Sequence, residues 1–158
     1  MEAFLSIVGS IASIFGAIWA LKEAKDAARA RRDMVDRRHL AEVAQVHAEI
    51  KRILNLVARV GPTSTVQLMK GVNCADIARE VEAFVAMLLE RRSHFSDLYG
   101  DRATELRNDL RTDIEGLAEA KTFDDKKRFG KSIYYKIENF TPVVKELSDA
   151  KQYQARKP

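Results

Sequence analysis

Residues 3–21, AFLSIVGSIASIFGAIWAL, contain no charged side chain. A helix rises about 1.5 Å per residue, so this stretch reaches roughly 28 Å, close to the roughly 30 Å of a bilayer's hydrocarbon interior. A chain carrying such a segment must either place it in lipid or cover it with protein. That choice constrains the fold more than any other feature of the sequence.

Successive residues of a helix are turned by about 100°. Phe4, Leu5, Ile7, Val8, Ile11, Ile14, Phe15, Ile18 and Trp19 form the bulky side, together with Leu21, and are expected to face lipid. Ser6, Gly9, Ser10, Ser13, Gly16, Ala17 and Ala20 form the small side. Small residues four apart let two helix backbones approach closely inside lipid, where the hydrophobic effect does not draw helices together. Ser6, Gly9, Ser13, Gly16, Ala17 and Ala20 are therefore the expected self-association seam. The nine Leu, Ile, Phe and Val residues contribute roughly −3 to −5 kcal/mol to insertion before Ser and Gly subtract from it. So weak a drive suits a segment that can be held against protein and released into lipid. The competing reading is a helix buried in a soluble bundle.

The charges that follow set an orientation. From Lys22 to Arg38 there are seven basic residues against four acidic ones, whereas only Glu2 and the amino terminus precede the apolar stretch. The positive-inside tendency then puts the N-terminus outside and the following residues in the cytoplasm. Lys22, Lys25, Arg29, Arg31 and Arg32 are the expected contacts to anionic headgroups. The stretch lacks the basic n-region and small-residue cleavage site of a secretory signal, so an anchor is expected rather than a cleaved leader. One cysteine, Cys74, cannot form an internal disulfide and reads as a buried thiol in a reducing compartment.

The remainder reads as helix. With 158 residues, 46% of them hydrophobic and 32% charged, the chain suits one ordinary helical domain. No breaker interrupts the first helix before Gly61-Pro62, and the spacing of Leu40, Val43, His47, Ile50, Leu54, Val57 and Val60 predicts a core-facing stripe. Thr63 or Ser64 is expected to cap a short segment, Val66 to Met69. A helix starting near Ala75 carries Ile77, Val81, Phe84, Leu88, Arg91, Phe95 and Leu98, and is expected to end at Tyr99-Gly100. Arg91, in that seam, is expected to pair with Glu82 or Glu90 or to reach outward. Asp101 is placed to cap the next helix, with Ala103, Leu106, Leu110, Ile114, Leu117 and Ala118 inward. Asp124 and Asp125 suit the positive end of a last helix bearing Phe129, Ile133, Ile137, Phe140, Val144 and Leu147; Gly130 weakens it slightly, and Pro142 kinks or restarts it. The expectation is an all-α fold in which a long, membrane-capable N-terminal helix leads into an antiparallel four-helix-type bundle. Its parts are an apolar helix over 1–21, a cytoplasmic bundle continuous with it over 22–150, and a frayed tail over 151–158.

No motif for catalysis emerges. Gly130-Lys131-Ser132 resembles the end of a phosphate loop, but Asp125 stands where that loop needs glycine and no strand precedes it. His39, His47 and His94 form no metal pattern. The Asn139-Phe140-Thr141 acceptor falls on the cytoplasmic side. Lys126, Lys127, Arg128, Phe129, Lys131, Tyr134, Tyr135 and Lys136 mix basic and aromatic groups, yet helical periodicity accounts for them, so nucleic acid is not an expected partner. A non-enzyme without cofactor or metal is expected.

An apolar N-terminal helix punctuated by Gly, Ser and Ala (IVGSIASIFGAIWA), running into a long amphipathic helix and a helical bundle, resembles the HeLo-like and bacterial Bell-type cell-death domains. The resemblance implies an N-terminal helix that inserts into membranes and oligomers that permeabilise them, as in bacterial antiviral defence. Such domains often answer to an amyloid-type or receptor partner. No amyloid motif or sensor domain follows residue 150, so the resemblance implies a separate sensor or regulatory protein. Membrane lipid and further copies of the chain are the other expected partners. Two alternatives remain: a constitutive single-pass anchor with a docking bundle, and a soluble oligomeric coiled-coil adaptor.

Overall fold

Alanine and straight-chain charged residues dominate positions 20–38, and such residues lose little side-chain freedom on entering a helix. In the computed structural model they lie within a single helix, α1 (Glu2–Ala58). The structure describes the backbone of residues 2–91 and 101–155, and the side chains of 19–91, 101–150 and Tyr153. Among the described residues there are four further helices and no strand: α2 (Val66–Met69), α3 (Cys74–Glu90), α4 (Arg102–Glu119) and α5 (Phe123–Ala155). The all-helical expectation holds. The chain divides into two units, Met1–Arg38 and His39–Pro158, and the division falls inside α1.

In the first unit every described side chain, from Trp19 to Arg38, is exposed. In the second, residues from α1, α3, α4 and α5 share one apolar core. Its α1 stripe is Val43, Val46, Ile50, Ile53 and Val57, continued by Val60 just past the helix end. This corrects the expected register: Leu40, His47 and Leu54 are only half-buried, because the three- and four-residue steps centre on the β-branched residues.

The helix pairs are set by polar contacts along their edges. Arg52 of α1 donates to Glu80 of α3 at 2.9 Å, while Arg91 at the end of α3 donates to Gln45 Oε1 at 2.9 Å and to the Glu42 carbonyl at 3.4 Å. Later residues of α3 thus meet earlier residues of α1, so the two run antiparallel. Arg91 does not pair with Glu82 or Glu90; it ties α3 back to α1. The backbone N–H of Arg91 turns to Leu88 and Leu89, which ends α3 at Glu90 rather than at Tyr99-Gly100. Phe95, Leu98 and His94 lie outside the described residues. α4 and α5 also run antiparallel, joined by Asp113 to Ser132 and Lys136 and by Gly116 to Phe129.

The caps differ in part from expectation. Thr65, not Thr63 or Ser64, caps α2 by accepting from Leu68 N–H at 3.3 Å, and Asn73 caps α3 by accepting from Ala75 N–H at 3.1 Å. Asp101 occupies the cap position of α4 but its side chain makes no capping bond. Thr122 caps α5: its hydroxyl oxygen accepts from Asp125 N–H at 3.1 Å and its hydroxyl donates to Asp125 Oδ2 at 2.7 Å. α5 passes through Pro142 without a break and continues into the expected tail as far as Ala155. Pro142 has no N–H to give to the helix ladder. Ile114 is half-buried and Ala118 exposed, so α4 buries a narrower stripe than its apolar spacing predicts.

Candidate functional site

The candidate site is the first unit. Its backbone is α-helical from Glu2 onward, the conformation that the two-faced reading of residues 3–21 requires. The side chains of Phe4, Leu5, Ser6, Ile7, Val8, Gly9, Ile11, Ser13, Ile14, Phe15, Gly16, Ala17 and Ile18 lie outside the described set, so the seam and the bulky face are represented there by Ala20 and Trp19 alone. Both are exposed, and Trp19 retains 72% of its surface.

Beyond Trp19 the helix keeps two chemically distinct sides. At 100° per residue, Ala20, Ala24, Ala27 and Ala28 continue the small side, and Met34 and Val35 follow on the same arc with Arg31 among them. Met34 keeps 69% of its surface, and Leu21 and Val35 are also exposed. Lys22, Lys25, Arg29 and Arg32 continue the bulky side together with Asp26, Asp33 and Asp36, so that side passes from apolar to charged within one turn, with basic residues in excess at first. All five predicted flank residues are exposed. Arg29 lies 3.9 Å from Asp26, a solvated pair one turn apart.

Within the second unit a polar cluster joins α4 to α5. The carboxylate of Asp113, 15% exposed, accepts from Ser132 Oγ at 2.6 Å and from Lys136 Nζ at 2.7 Å, and Lys136 also donates to the Asp109 carbonyl at 2.7 Å. Every partner in that cluster is satisfied. Arg128 stacks over Phe129, 4.6 Å from the ring centre, and Lys127 and Lys131 lie over Phe123 and Tyr135. The basic and aromatic groups of this segment therefore meet one another along one helix. His39 and His47 are half-buried. Among the described residues no group of His, Cys, Asp and Glu can hold a metal, and no helix is long and apolar enough to cross a membrane.

Sequence reasoning located the short segment between α1 and α3 but gave that connection no functional role. There α2 turns Met69 into the core and leaves Val66 and Leu68 exposed. The available signal was an acid-free run: no Asp or Glu occurs from Ile50 to Ala75.

No family model, curated protein or solved structure matches this chain.

Proposed function

We propose that this protein is a membrane-inserting, self-associating helical-bundle effector that perturbs or permeabilises a membrane, in the manner of the bacterial antiviral cell-death domains that its layout resembles. One observation carries the reading: a 57-residue helix whose first part forms a unit of its own and whose sequence, on the side that carries the bulky apolar residues, turns charged at Lys22 with basic residues in excess. A helix crossing from hydrocarbon to anionic headgroups needs that change of chemistry. The small side, continuous from Ser6 to Ala28, supports contact with a second copy.

The test replaces Gly9 and Gly16 by Leu in the full chain. Oligomer formation, dye release from liposomes and toxicity on expression are all expected to fall to background. Unchanged oligomers and leakage would overturn the reading. A second reading is a constitutive anchor whose bundle is a docking platform, favoured by the self-contained core of the second unit. Vesicle binding without leakage by the unsubstituted chain decides for the platform.

A further inference from the structure

The connection from α1 to α3 is braced from within. Thr63 Oγ1 donates to the Ala58 carbonyl at 3.1 Å, and the buried Ser64 donates through its hydroxyl to the Gly61 carbonyl at 2.6 Å. Thr65 caps α2, and Val72 N–H closes the turn onto the Met69 carbonyl at 3.1 Å. Gly71 adopts a φ of +82°, the left-handed conformation that this return requires. Met69 is the buried anchor. A connection held by so many bonds presents its outer side chains in fixed positions, and two of those are large aliphatics: Val66 is 67% exposed and Leu68 61%.

Along the chain the charges beside them are of one sign, since no Asp or Glu occurs from Ile50 to Ala75. Arg59 and Lys70 are exposed and form no ion pair with any described residue. The nearest acidic residues along the chain are Glu49, engaged by Arg52 at 2.6 Å, and Asp76, engaged by Arg79. Leu68 also borders a groove of about 450 Å³ shared with Asn55, Ala58, Arg59, Thr63 and Val72. Two protruding aliphatics, one on either side of Gln67, with unpaired cations beside them match a surface that is apolar inside and anionic outside. That is the interface of an anionic bilayer, where basic residues meet the headgroups and aliphatic ones enter the acyl boundary.

We infer that the α1–α3 connection is a second membrane-contact surface, which inserts Val66 and Leu68 at the interface of anionic bilayers while Arg59 and Lys70 bind the headgroups. It lies wholly in the second unit, so it is a contact in addition to the N-terminal helix and does not depend on insertion of that helix.

The experiment uses the full chain with Leu68→Trp in a Trp19→Phe background, which makes the only indole report on this connection. Vesicles of phosphatidylcholine alone are compared with vesicles containing phosphatidylglycerol. Emission is expected to move to the blue, and to be quenched by brominated acyl chains, with the anionic vesicles. Adding Arg59→Gln and Lys70→Gln should weaken that response roughly 30-fold, since each cation near an anionic surface is worth about fivefold. All four substitutions replace exposed side chains, and circular dichroism checks that the helices persist. Emission from position 68 that ignores vesicles overturns the inference, and is the outcome expected if a protein partner covers the groove instead. A response equal on neutral and anionic vesicles, or undiminished by the two Gln replacements, overturns it as well. Trp19 in the unsubstituted chain reports on the N-terminal helix separately. A response at 68 without one at 19 leaves this surface standing and removes the proposed insertion; the reverse removes only this surface.

Discussion

A methyl group added at Gly130 would lie 2.4 Å from the carbonyl oxygen of Val60, a backbone atom that a side-chain rotation cannot clear. Gly130 is therefore the position where α5 approaches the end of α1, and Gly130→Ala is expected to destabilise the fold by about 1–3 kcal/mol, read from the urea midpoint. Gly116→Ala meets the ring of Phe129 instead, at 2.4 Å, and that half-buried ring can turn toward solvent, so a smaller loss is expected there. Asp113 is a different kind of constraint. Asp113→Ala would strip the acceptor from Ser132 and Lys136, both partly buried, at a cost of about 1–3 kcal/mol, whereas Ser132→Ala should cost about 1 kcal/mol because Lys136 still holds the carboxylate. Burial raises the pKa of the Cys74 thiol, against a small opposing pull from Lys126. The thiol is expected to resist disulfide reagents at pH 8 until the protein unfolds. Its folded pKa is the higher one, so the unfolded chain ionises first, and stability should fall as the pH climbs past about 8.5. Cys74→Ala should flatten that slope in denaturation curves recorded from pH 7 to 10.

Thr122 shows how one turn fixes a helix start. Its hydroxyl both accepts from and donates to Asp125, and Thr122→Ala should cost about 1 kcal/mol of stability, with the loss concentrated in amide exchange at the first turn of α5. Asp125 was legible in the sequence as a favourable charge at that end, but its threonine partner was not singled out. The same division runs through the other elements. Periodicity located α3, α4 and α5 because each buries one stripe, and it located Val66 to Met69 because Gly61-Pro62 and Gly71 bracket that segment. It placed the α1 stripe one step aside, since apolar residues occur at 40, 43, 46, 50, 53, 54, 56, 57 and 60 and more than one seam fits them. Burial in the shared core, which the spacing alone does not contain, selects Val46 and Ile53 over His47 and Leu54. The end of α3 was misread for a related reason: an apolar spacing continues past Glu90, while the described helix ends there, with Arg91 N–H turned to Leu88 and Leu89 and its guanidinium held on Glu42 and Gln45 by tertiary bonds that no local rule contains. The acid-free run from Ile50 to Ala75 was present in the sequence, but only the fold reveals that Val66 and Leu68 are left uncovered within it.

Every buried hydrophobic residue among those described lies between Val43 and Leu147, and the division of the chain falls just before, at Arg38 and His39. The helical turns before His39 contribute no described side chain to the core, so their stability as a helix rests on alanine and straight-chain residues and on length. A chain begun at His39 is then expected to unfold cooperatively, with a stability within about 0.5 kcal/mol of the full chain, as for changes away from a core. The same truncation removes the apolar stretch and the cationic flank together. On the proposed function it therefore abolishes dye release from liposomes and toxicity while leaving the folded bundle in place. Truncation to Lys22 should give the intermediate result: binding to anionic vesicles retained through Lys22, Lys25, Arg29, Arg31 and Arg32, weakened by salt as exposed charges are screened, and no leakage. If the chain begun at His39 fails to fold, residues before it support the core and the separation of folding from membrane action is lost. If the chain begun at Lys22 still releases dye, the apolar helix is not the permeabilising element, and the activity must be sought in the bundle.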